Sequence, residues 1–357
     1  MAVKFLRAIG MMSGTSLDGV DAAWLETDGI SVTRTGMSVT LRYEASLRAD
    51  LRRLLDIAPG LPPDDFFLRD VERRLTEDHC IAAGMIGQGT DIIGMHGQTL
   101  LHEPARHRSW QIGDAGLVAR KFNLPVVHDF RAADVAAGGQ GAPLVPLYHA
   151  ALAQSLRKPL AIVNIGGVAN VTFLGPEGEI LSCDTGPGNG PLDDLMLRHT
   201  GEAFDRDGMF AATGIVRQDR LTRLLSHPYF ALPAPKSLDR LTFSGLIEAA
   251  IHDLAPADAA ATLTAFTVAS IANAPIPRPL RVLVCGGGRH NNAIMAGLQQ
   301  AFDVPVEKVE AAGWDGDMLE AQCFGFLAVR SRYNMPLSLP STTGVPAPMT
   351  GGKWVTP

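Results

Sequence analysis

Apolar residues fall in short runs, and glycine-rich polar turns separate them. Residues 5–9 and 20–25 are two such runs, with Gly10-Met-Met-Ser-Gly-Thr-Ser-Leu-Asp-Gly19 between them. Strand, polar turn and strand predict a β-hairpin. Leu47, Leu51, Leu54 and Leu55 then keep helical spacing, as do Leu68, Val71 and Leu75. Residues 91–95 read as a buried strand ending at His96-Gly-Gln-Thr99, residues 114–122 as a short helix and 124–127 as another strand. The cluster Ala136-Ala-Gly-Gly-Gln-Gly-Ala-Pro143 reads as a hinge or a domain crossing.

Beyond it the layout of the start returns. Residues 160–164 are apolar, Ile165-Gly-Gly-Val-Ala-Asn170 is a tight polar turn and 171–174 are apolar again. Residues 179–183 lead into Asp184-Thr-Gly-Pro-Gly-Asn189, where a helix is expected to start with Asn189 as cap and Pro191 in its first turn. Residues 281–284 predict a strand entering Cys285-Gly-Gly-Gly288, and 291–301 a helix. Alternating strands and helices favour α/β layers. Each half opens on the same strand–turn–strand pattern, a weak internal duplication without sequence-identical repeats. The division this suggests is 1–130 and 131–357. The tail after Asn334, rich in Pro, Ser and Thr, reads as extended or loop.

Length and composition narrow the class. A chain of 357 residues suggests two domains and a core large enough to need no disulfide or metal. With 46% hydrophobic and 19% charged residues it is an ordinary globular composition. A net charge of −6 argues against a general nucleic-acid binder, which needs a basic surface. Cys80, Cys183, Cys285 and Cys323 form no C-x-x-C pair, which fits a reducing compartment. Lys4 and Arg7 interrupt the first apolar run, so no signal peptide is expected. Residues 259–277 carry no charge, but their threonines, Asn273 and two prolines suit a buried helix and a loop rather than a membrane span. A cytoplasmic enzyme is the expectation.

Glycine turns after strands suit phosphate, because a backbone without a β-carbon can approach it and aim N–H donors at it. Gly351-Gly-Lys353 is no P-loop, and Gly286-Gly-Gly288 does not complete G-x-G-x-x-G because position 291 is Asn. In the turn from Ser13 to Asp18, three hydroxyls suit phosphate oxygens, and Asp18 or Asp21 can hold Mg²⁺ through water. The same side chains can instead simply close the turn. Asp184 stands at a strand's end ahead of a helix, where ligands bind in open α/β sheets. It is a candidate general base, with a turn-forming Asp as the alternative. Asp193 and Asp194 read as surface acids. His96 after its strand can meet a polar ligand or serve structurally, and no H-E-x-x-H or G-x-S-x-G is present.

Several phrases occur together and in order: Gly14-Thr-Ser-Leu-Asp-Gly-Val-Asp21, His96-Gly-Gln-Thr99, Gln111-Ile-Gly-Asp114, Asp129-Phe-Arg131, Gly138-Gly-Gln-Gly-Ala-Pro-Leu-Val-Pro146, Asn164-Ile-Gly-Gly-Val-Ala-Asn170, Asp184-Thr-Gly-Pro-Gly-Asn189 and Cys285-Gly-Gly-Gly288. With this set the chain resembles the anhydro-N-acetylmuramic acid kinases of bacterial cell-wall recycling, from about residue 10 to residue 344. The resemblance implies an α/β, two-lobed actin/hexokinase-like fold with ribonuclease H-like lobes and ATP in the interlobe cleft. It implies that ATP, water and 1,6-anhydro-N-acetylmuramic acid give N-acetylmuramic acid 6-phosphate and ADP, with Mg²⁺.

By the same resemblance, Gly14, Thr15, Ser16, Leu17, Asp18, Gly19, Val20 and Asp21 form the first ATP phosphate loop, with Asp18 toward the metal. Asn164, Gly166, Gly167 and Asn170 form the second, and Gly286, Gly287 and Gly288 lie by the adenosine. Asp184 is the catalytic aspartate, and Glu320 helps to place the water. Ser13, His96, Gln98 and Arg131 face the sugar. A homodimer is implied, and neither nucleic acid nor membrane is a partner. Two stretches depart from the family pattern: Met318-Leu319 after Asp317, where two acids are usual, and Leu238-Asp-Arg-Leu241 after Pro235-Lys-Ser237. A kinase of this fold for another amino sugar, a non-catalytic sugar or nucleotide sensor and an actin-like assembly protein are the alternative readings.

Overall fold

The computed structural model describes residues 4–357 apart from Thr15, Gln88 and 239–241. Its strands, in chain order, are β1 (Leu6–Ser13), β2 (Gly19–Thr27), β3 (Val32–Arg42), β4 (Ile92–Glu103), β5 (Arg108–Ile112), β6 (Val126–His128), β7 (Leu160–Ile165), β8 (Val168–Leu174), β9 (Ile180–Pro187), β10 (Arg281–Cys285), β11 (Val306–Lys308) and β12 (Lys353–Val355). They form two sheets, one in each of two compact units. Unit 1 comprises residues 1–154 and 318–357, and unit 2 comprises 155–317.

In unit 1 the sheet order is β12-β6-β4-β1-β2-β3, with β5 also paired to β4. β1, β2 and β3 form an antiparallel meander, and β4 runs parallel to both β1 and β6. In unit 2 the order is β11-β10-β7-β8-β9. There β7, β8 and β9 are the antiparallel meander, and β10 runs parallel to both β7 and β11. The two central paths are the same in order and direction. The duplication expected from the glycine turns is thus a duplicated ribonuclease H-like lobe, and the actin/hexokinase-like class rests on that topology.

Side chains alternate across a strand, so each face of the first sheet has its own cover. Ile9, Met11, Val20, Ala22, Trp24, Ile93 and Met95 pack on one face with the helices Ala45–Ile57, Phe66–Ile86 and Ala115–Phe122. The leucines read as helical at 47–55 and 68–75 are these contacts. Ala23 and the backbone of Gly10 and Gly94 belong to the other face, which the helix Leu319–Arg332 covers. A β-carbon on Gly10 would lie 1.8 Å from the Ala321 carbonyl oxygen, and one on Gly94 2.0 Å from that of Phe324. The helix therefore meets the sheet backbone to backbone. Burial on both faces explains why the first strand is a continuous apolar run rather than an alternating one.

The packing departs from the sequence expectations in three places. The division drawn at 130/131 does not match it, because residues 131–154 and the chain's last forty residues build unit 1. The cluster 136–143 is not a crossing between units; it lies inside unit 1. Buried Asp134 fixes it there by accepting from the Gly141 N–H at 2.6 Å and the Thr343 hydroxyl at 2.6 Å, with the Ser338 hydroxyl on the same carboxylate. The tail read as loop holds a helical turn, Pro340–Thr343, and β12, antiparallel to β6. Residues 259–272 are part of the buried helix Pro256–Ala272 and a loop follows, as expected. No helix among the described residues is long and apolar enough to cross a membrane.

Gly10→Ala is expected to lower the stability of unit 1 by at least about 2 kcal/mol, since both colliding groups are backbone and neither can swing aside. Gly84→Ala, on an exposed helical position with nothing within 4 Å of the new carbon, is expected to gain about 0.5–1 kcal/mol. Urea denaturation of both variants measures the contrast.

Candidate active site

In unit 2, the candidate residues gather on neighbouring strands. β7 pairs Asn164 with Asn170 of β8, and β8 pairs Asn170 with Asp184 of β9. Asn170 thus belongs to a strand, and the turn expected over 165–170 narrows to Gly166 and Gly167. The pairing jumps from Asn170↔Asp184 to Ala169↔Gly186, which leaves Thr185 as an extra residue. Such a bulge re-aims the side chain beside it. β9 runs on past Asp184 to Pro187, so Asp184 lies within the strand and not at its end.

The Gly166 carbonyl accepts from the Asn189 N–H at 2.7 Å, and the Gly167 carbonyl from the Gly188 N–H at 3.0 Å. The helix Gly190–Thr200 starts after Asn189 with Pro191 in its first turn, as read from the sequence. The Asn189 side chain does not cap it, however; Nδ2 donates to the Ile165 carbonyl at 3.4 Å. A β-carbon added to Gly167 would meet no atom within 4 Å, so its turn is open for a ligand to approach. Asp193 is half-buried and Asp194 exposed.

Gly286 has φ +74°, and a β-carbon there would sit 2.3 Å from the Asn164 Oδ1. The third glycine turn thus abuts the second through Asn164. It is pinned by Arg289, a residue that no sequence motif singles out. Arg289 is 2% exposed. It donates to Glu310 Oε1 at 2.8 Å, to Asp317 Oδ1 at 2.8 Å and to the Gly286 carbonyl at 3.1 Å. Gly287 and Gly288 open the helical turn that carries Arg289.

Asp184 is held at both ends. Its backbone N–H donates to the Lys236 carbonyl at 2.9 Å, and its Oδ2 accepts from the Leu238 N–H at 2.7 Å. Burial pushes its carboxyl up to about 7, against the opposing pull of the Leu238 N–H and the Lys236 charge. A carboxylate in that range can both take and hold a proton near neutral pH. Of the departing stretch after Ser237, residues 239–241 lie outside the described residues.

In unit 1, Ser13 ends β1, and the loop beyond it turns by a Leu17 N–H···O=C Gly14 bond of 3.1 Å. Leu17, at φ +56°, is buried and anchors the loop, while Ser16 and Asp18 are exposed and Thr15 lies outside the described residues. Asp18 pairs with Arg48 at 3.1 Å. Gly19, Val20 and Asp21 already belong to β2, where Asp21 Oδ1 accepts from the Thr40 hydroxyl at 2.5 Å.

The Ser13 hydroxyl donates to Gln98 Oε1 at 2.8 Å and meets the Tyr43 hydroxyl, so the phenol is the donor to Ser13. Burial raises the Tyr43 pKa and keeps that proton in place. β4 does not end before His96; it continues to Glu103 because β5 pairs with its second half, at Gln98 and beyond. Gly97, at φ +72°, makes the bend between His96 and Gln98, since a β-carbon would lie 2.2 Å from the Ile112 carbonyl oxygen.

Arg131 Nε lies 2.9 Å from His96 Nε2. A guanidinium only donates, so His96 Nε2 is the acceptor and the proton sits on Nδ1, which donates to the Gly97 carbonyl at 2.8 Å. Burial, then the Arg131 charge, drives the His96 pKa well below its ordinary value. Arg131 Nη1 donates to the Gly141 carbonyl at 2.8 Å, the same glycine that Asp134 holds. Burial lowers the Arg131 pKa and the charge of Glu320 opposes that. Glu320 is exposed in the first turn of the helix Leu319–Arg332.

Each unit thus carries a glycine turn between its first two strands on a ribonuclease H-like lobe. Unit 2 adds a near-neutral carboxylate, and unit 1 a fixed arginine and an exposed glutamate. This is a protein of the actin/hexokinase-like class. The family model for anhydro-N-acetylmuramic acid kinase matches residues 6–356. The anhydro-N-acetylmuramic acid kinase of Acidiphilium cryptum is 65% identical over 353 residues, 99% of each chain. That of Gluconobacter oxydans is 52% identical, covering 98% of this chain and 99% of its own, and that of Rhodospirillum rubrum 52%, covering 97% and 93%. The chain belongs to the anhydro-N-acetylmuramic acid kinase family. It is an enzyme, a kinase of anhydro-N-acetylmuramic acid, and its setting is peptidoglycan recycling.

The raised Asp184 pKa makes a prediction about stability. Unfolded, an aspartate titrates near ~3.9. Between that value and about 7 the folded chain keeps a proton that the unfolded chain has released. Stability therefore falls as pH rises through this window, and the deficit persists above it. Asp184→Asn is expected to be more stable than the parent at pH 8, by about 1–3 kcal/mol, and close to it at pH 4. Denaturation curves at the two pH values check this.

Proposed function

We propose that the enzyme uses ATP with Mg²⁺ to open the anhydro bridge and phosphorylate the released oxygen in one coupled reaction, with Asp184 as general base. The observation that carries this reading is the half-buried Asp184 carboxylate, poised near neutrality on a bulged strand beside the second glycine turn. Water attacks the anomeric carbon and gives its proton to Asp184. The bond from that carbon to O6 breaks, O6 bonds to the γ-phosphorus, and the phosphorus–oxygen bond to ADP breaks. An ordinary glycosidase needs a protein acid on the leaving oxygen. Here the phosphoryl group takes the place of that proton, so one base suffices.

Glu320 orients the water, and Arg131 binds the sugar together with His96, Gln98 and Ser13. The neutral, acceptor state of His96 suits it to hold Arg131 and not to act as an acid. The turns at Gly14, Gly166 and Gly167 take the phosphates, and the turn Gly286–Gly288 takes the adenosine. Among the described residues no cluster of three or more His, Cys, Asp or Glu could hold a metal by itself. A single exposed carboxylate, Asp18, fits a Mg²⁺ that keeps most of its waters and arrives with the phosphates. Mg²⁺ bound there supplies neutralisation of the phosphate charge. The enzyme acts in the cytoplasm and as a homodimer, both from its family resemblance.

Mass spectrometry after incubation with ATP, Mg²⁺ and 1,6-anhydro-N-acetylmuramic acid in ¹⁸O-water tests the reaction. The expected product carries one ¹⁸O at the anomeric carbon and a 6-phosphate, and NMR at early times shows inversion at that carbon. Product from N-acetylmuramic acid alone would point to an ordinary sugar kinase. Asp184→Asn is expected to lower turnover by about 10²-fold or more while ATP still binds.

A further inference from the structure

Lys236 is a buried lysine that takes part in no step of this reaction. Only 8% of it is exposed. Its ammonium donates to the Tyr229 carbonyl at 3.0 Å and lies 4.3 Å from the centre of the Tyr229 ring. The Tyr229 hydroxyl donates to the Asp184 carbonyl at 2.7 Å, and the Asp184 N–H donates to the Lys236 carbonyl at 2.9 Å. Three residues from three segments thus close a ring of contacts: Asp184 on β9, Tyr229 on the helical turn Pro228–Ala231, and Lys236 on the segment beside β9. Two residues on, Leu238 grips the Asp184 carboxylate itself at 2.7 Å.

A buried ammonium is costly unless a counter-charge offsets its lost hydration. One carbonyl and one ring face are weak compensation for it. The charged group that acts on it from the neighbouring strand is Asp184, and the neutral thiol of Cys183 is the other titratable neighbour. The phenol of Tyr229 stays protonated because burial raises its pKa. Among the described residues, the groups that act on the Asp184 carboxyl are the Leu238 N–H and the Lys236 cation; the protonated Tyr229 phenol lies at its backbone carbonyl, and the protonated Cys183 thiol precedes it on β9 and points to the other face.

We propose that Lys236 is a positioning residue for the reaction: locked onto Tyr229, its ammonium holds the half-buried Asp184 carboxylate in the ionised form that accepts the proton of water. This rests on the reading of Asp184 as the base. Burial drives that carboxyl toward its neutral, useless form; the Leu238 N–H opposes this first, and among the described residues Lys236 is the cation that adds to it. The lysine touches no reacting atom. It acts by charge, through a place fixed by backbone and ring contacts.

The test is the pH profile of kcat/KM for the anhydro sugar at saturating ATP, from pH 5 to 9, for the parent, Lys236→Met and Lys236→Arg. Such a profile reports the ionisations of the free enzyme. The parent is expected to lose activity below about pH 7. In Lys236→Met the acid limb is expected to move up by about one pH unit, so activity at pH 6 falls about tenfold and the profiles draw together toward pH 9. Lys236→Arg, which keeps the charge, is expected to keep the limb near its parent position. If Lys236→Met does not fold, Lys236→Gln keeps a donor for the Tyr229 carbonyl without the charge and reads the same limb.

An unmoved limb in the neutral variants, with or without a uniform loss of activity, overturns the proposal and leaves Lys236 a structural residue. Asp184→Asn, assayed alongside, separates the two readings. An active Asp184→Asn overturns the base assignment itself, whereas an inactive one with an unmoved Lys236→Met limb overturns only the role of Lys236.

Discussion

Unit 1 depends on one close approach, the contact of the helix Leu319–Arg332 with β1 and β4 through Gly10 and Gly94. With no β-carbon at either glycine, the helix backbone comes down to the strand backbones, where Gly10 meets Ala321 and Gly325 and Gly94 meets Phe324. Bulkier pairs of residues hold a helix off a sheet; these let it sink in. That depth brings the Phe324 ring to 4.5 Å from His96, and it sets Glu320 at the head of the same helix. The helix comes from the far end of the sequence, so the first sheet and the residues proposed to bind the sugar are complete only once the chain has returned.

The two units use burial toward opposite ends. In unit 1, burial and the positive charge of Arg131 keep His96 neutral, which frees its Nε2 to accept from that arginine. The arginine in turn leans on Gly141, and Gly141 on Asp134, so a chain of satisfied polar groups runs from the tail to the Arg131 guanidinium. In unit 2, burial pushes the Asp184 carboxyl toward its neutral form, and a cation and a backbone N–H pull it back. A group caught between such forces titrates in the range where proton transfer to it is reversible.

Much of this was legible in the chain. The glycine turns at 14–19, 166–167 and 286–288, proposed to hold the nucleotide, each follow an apolar run that reads as a strand. The helices at 45–57 and 66–86 announced themselves by leucine spacing, and the helix expected over 291–301 runs from Asn292 to Ala301, with Asn291 accepting from the Ile294 N–H at 3.1 Å. What escaped notice has a common character. Arg289, Tyr43 and Asp134 are single polar residues with partners far away in sequence, Lys236 closes on Tyr229 seven residues before it, and no local pattern marks any of them.

The sequence by itself determined the elements and the chemistry on offer: strands, glycine turns, an aspartate beside the second turn and an ordered set of phrases that fixes the family. These are local properties, set by side-chain period and backbone freedom. Tertiary structure alone decided the boundaries and the state of the groups. It assigned the last forty residues to unit 1, ran β4 through His96, and narrowed the second turn to two glycines. It also decided which histidine nitrogen holds a proton and where Asp184 titrates, because both follow from burial and from charges that only the folded chain brings close.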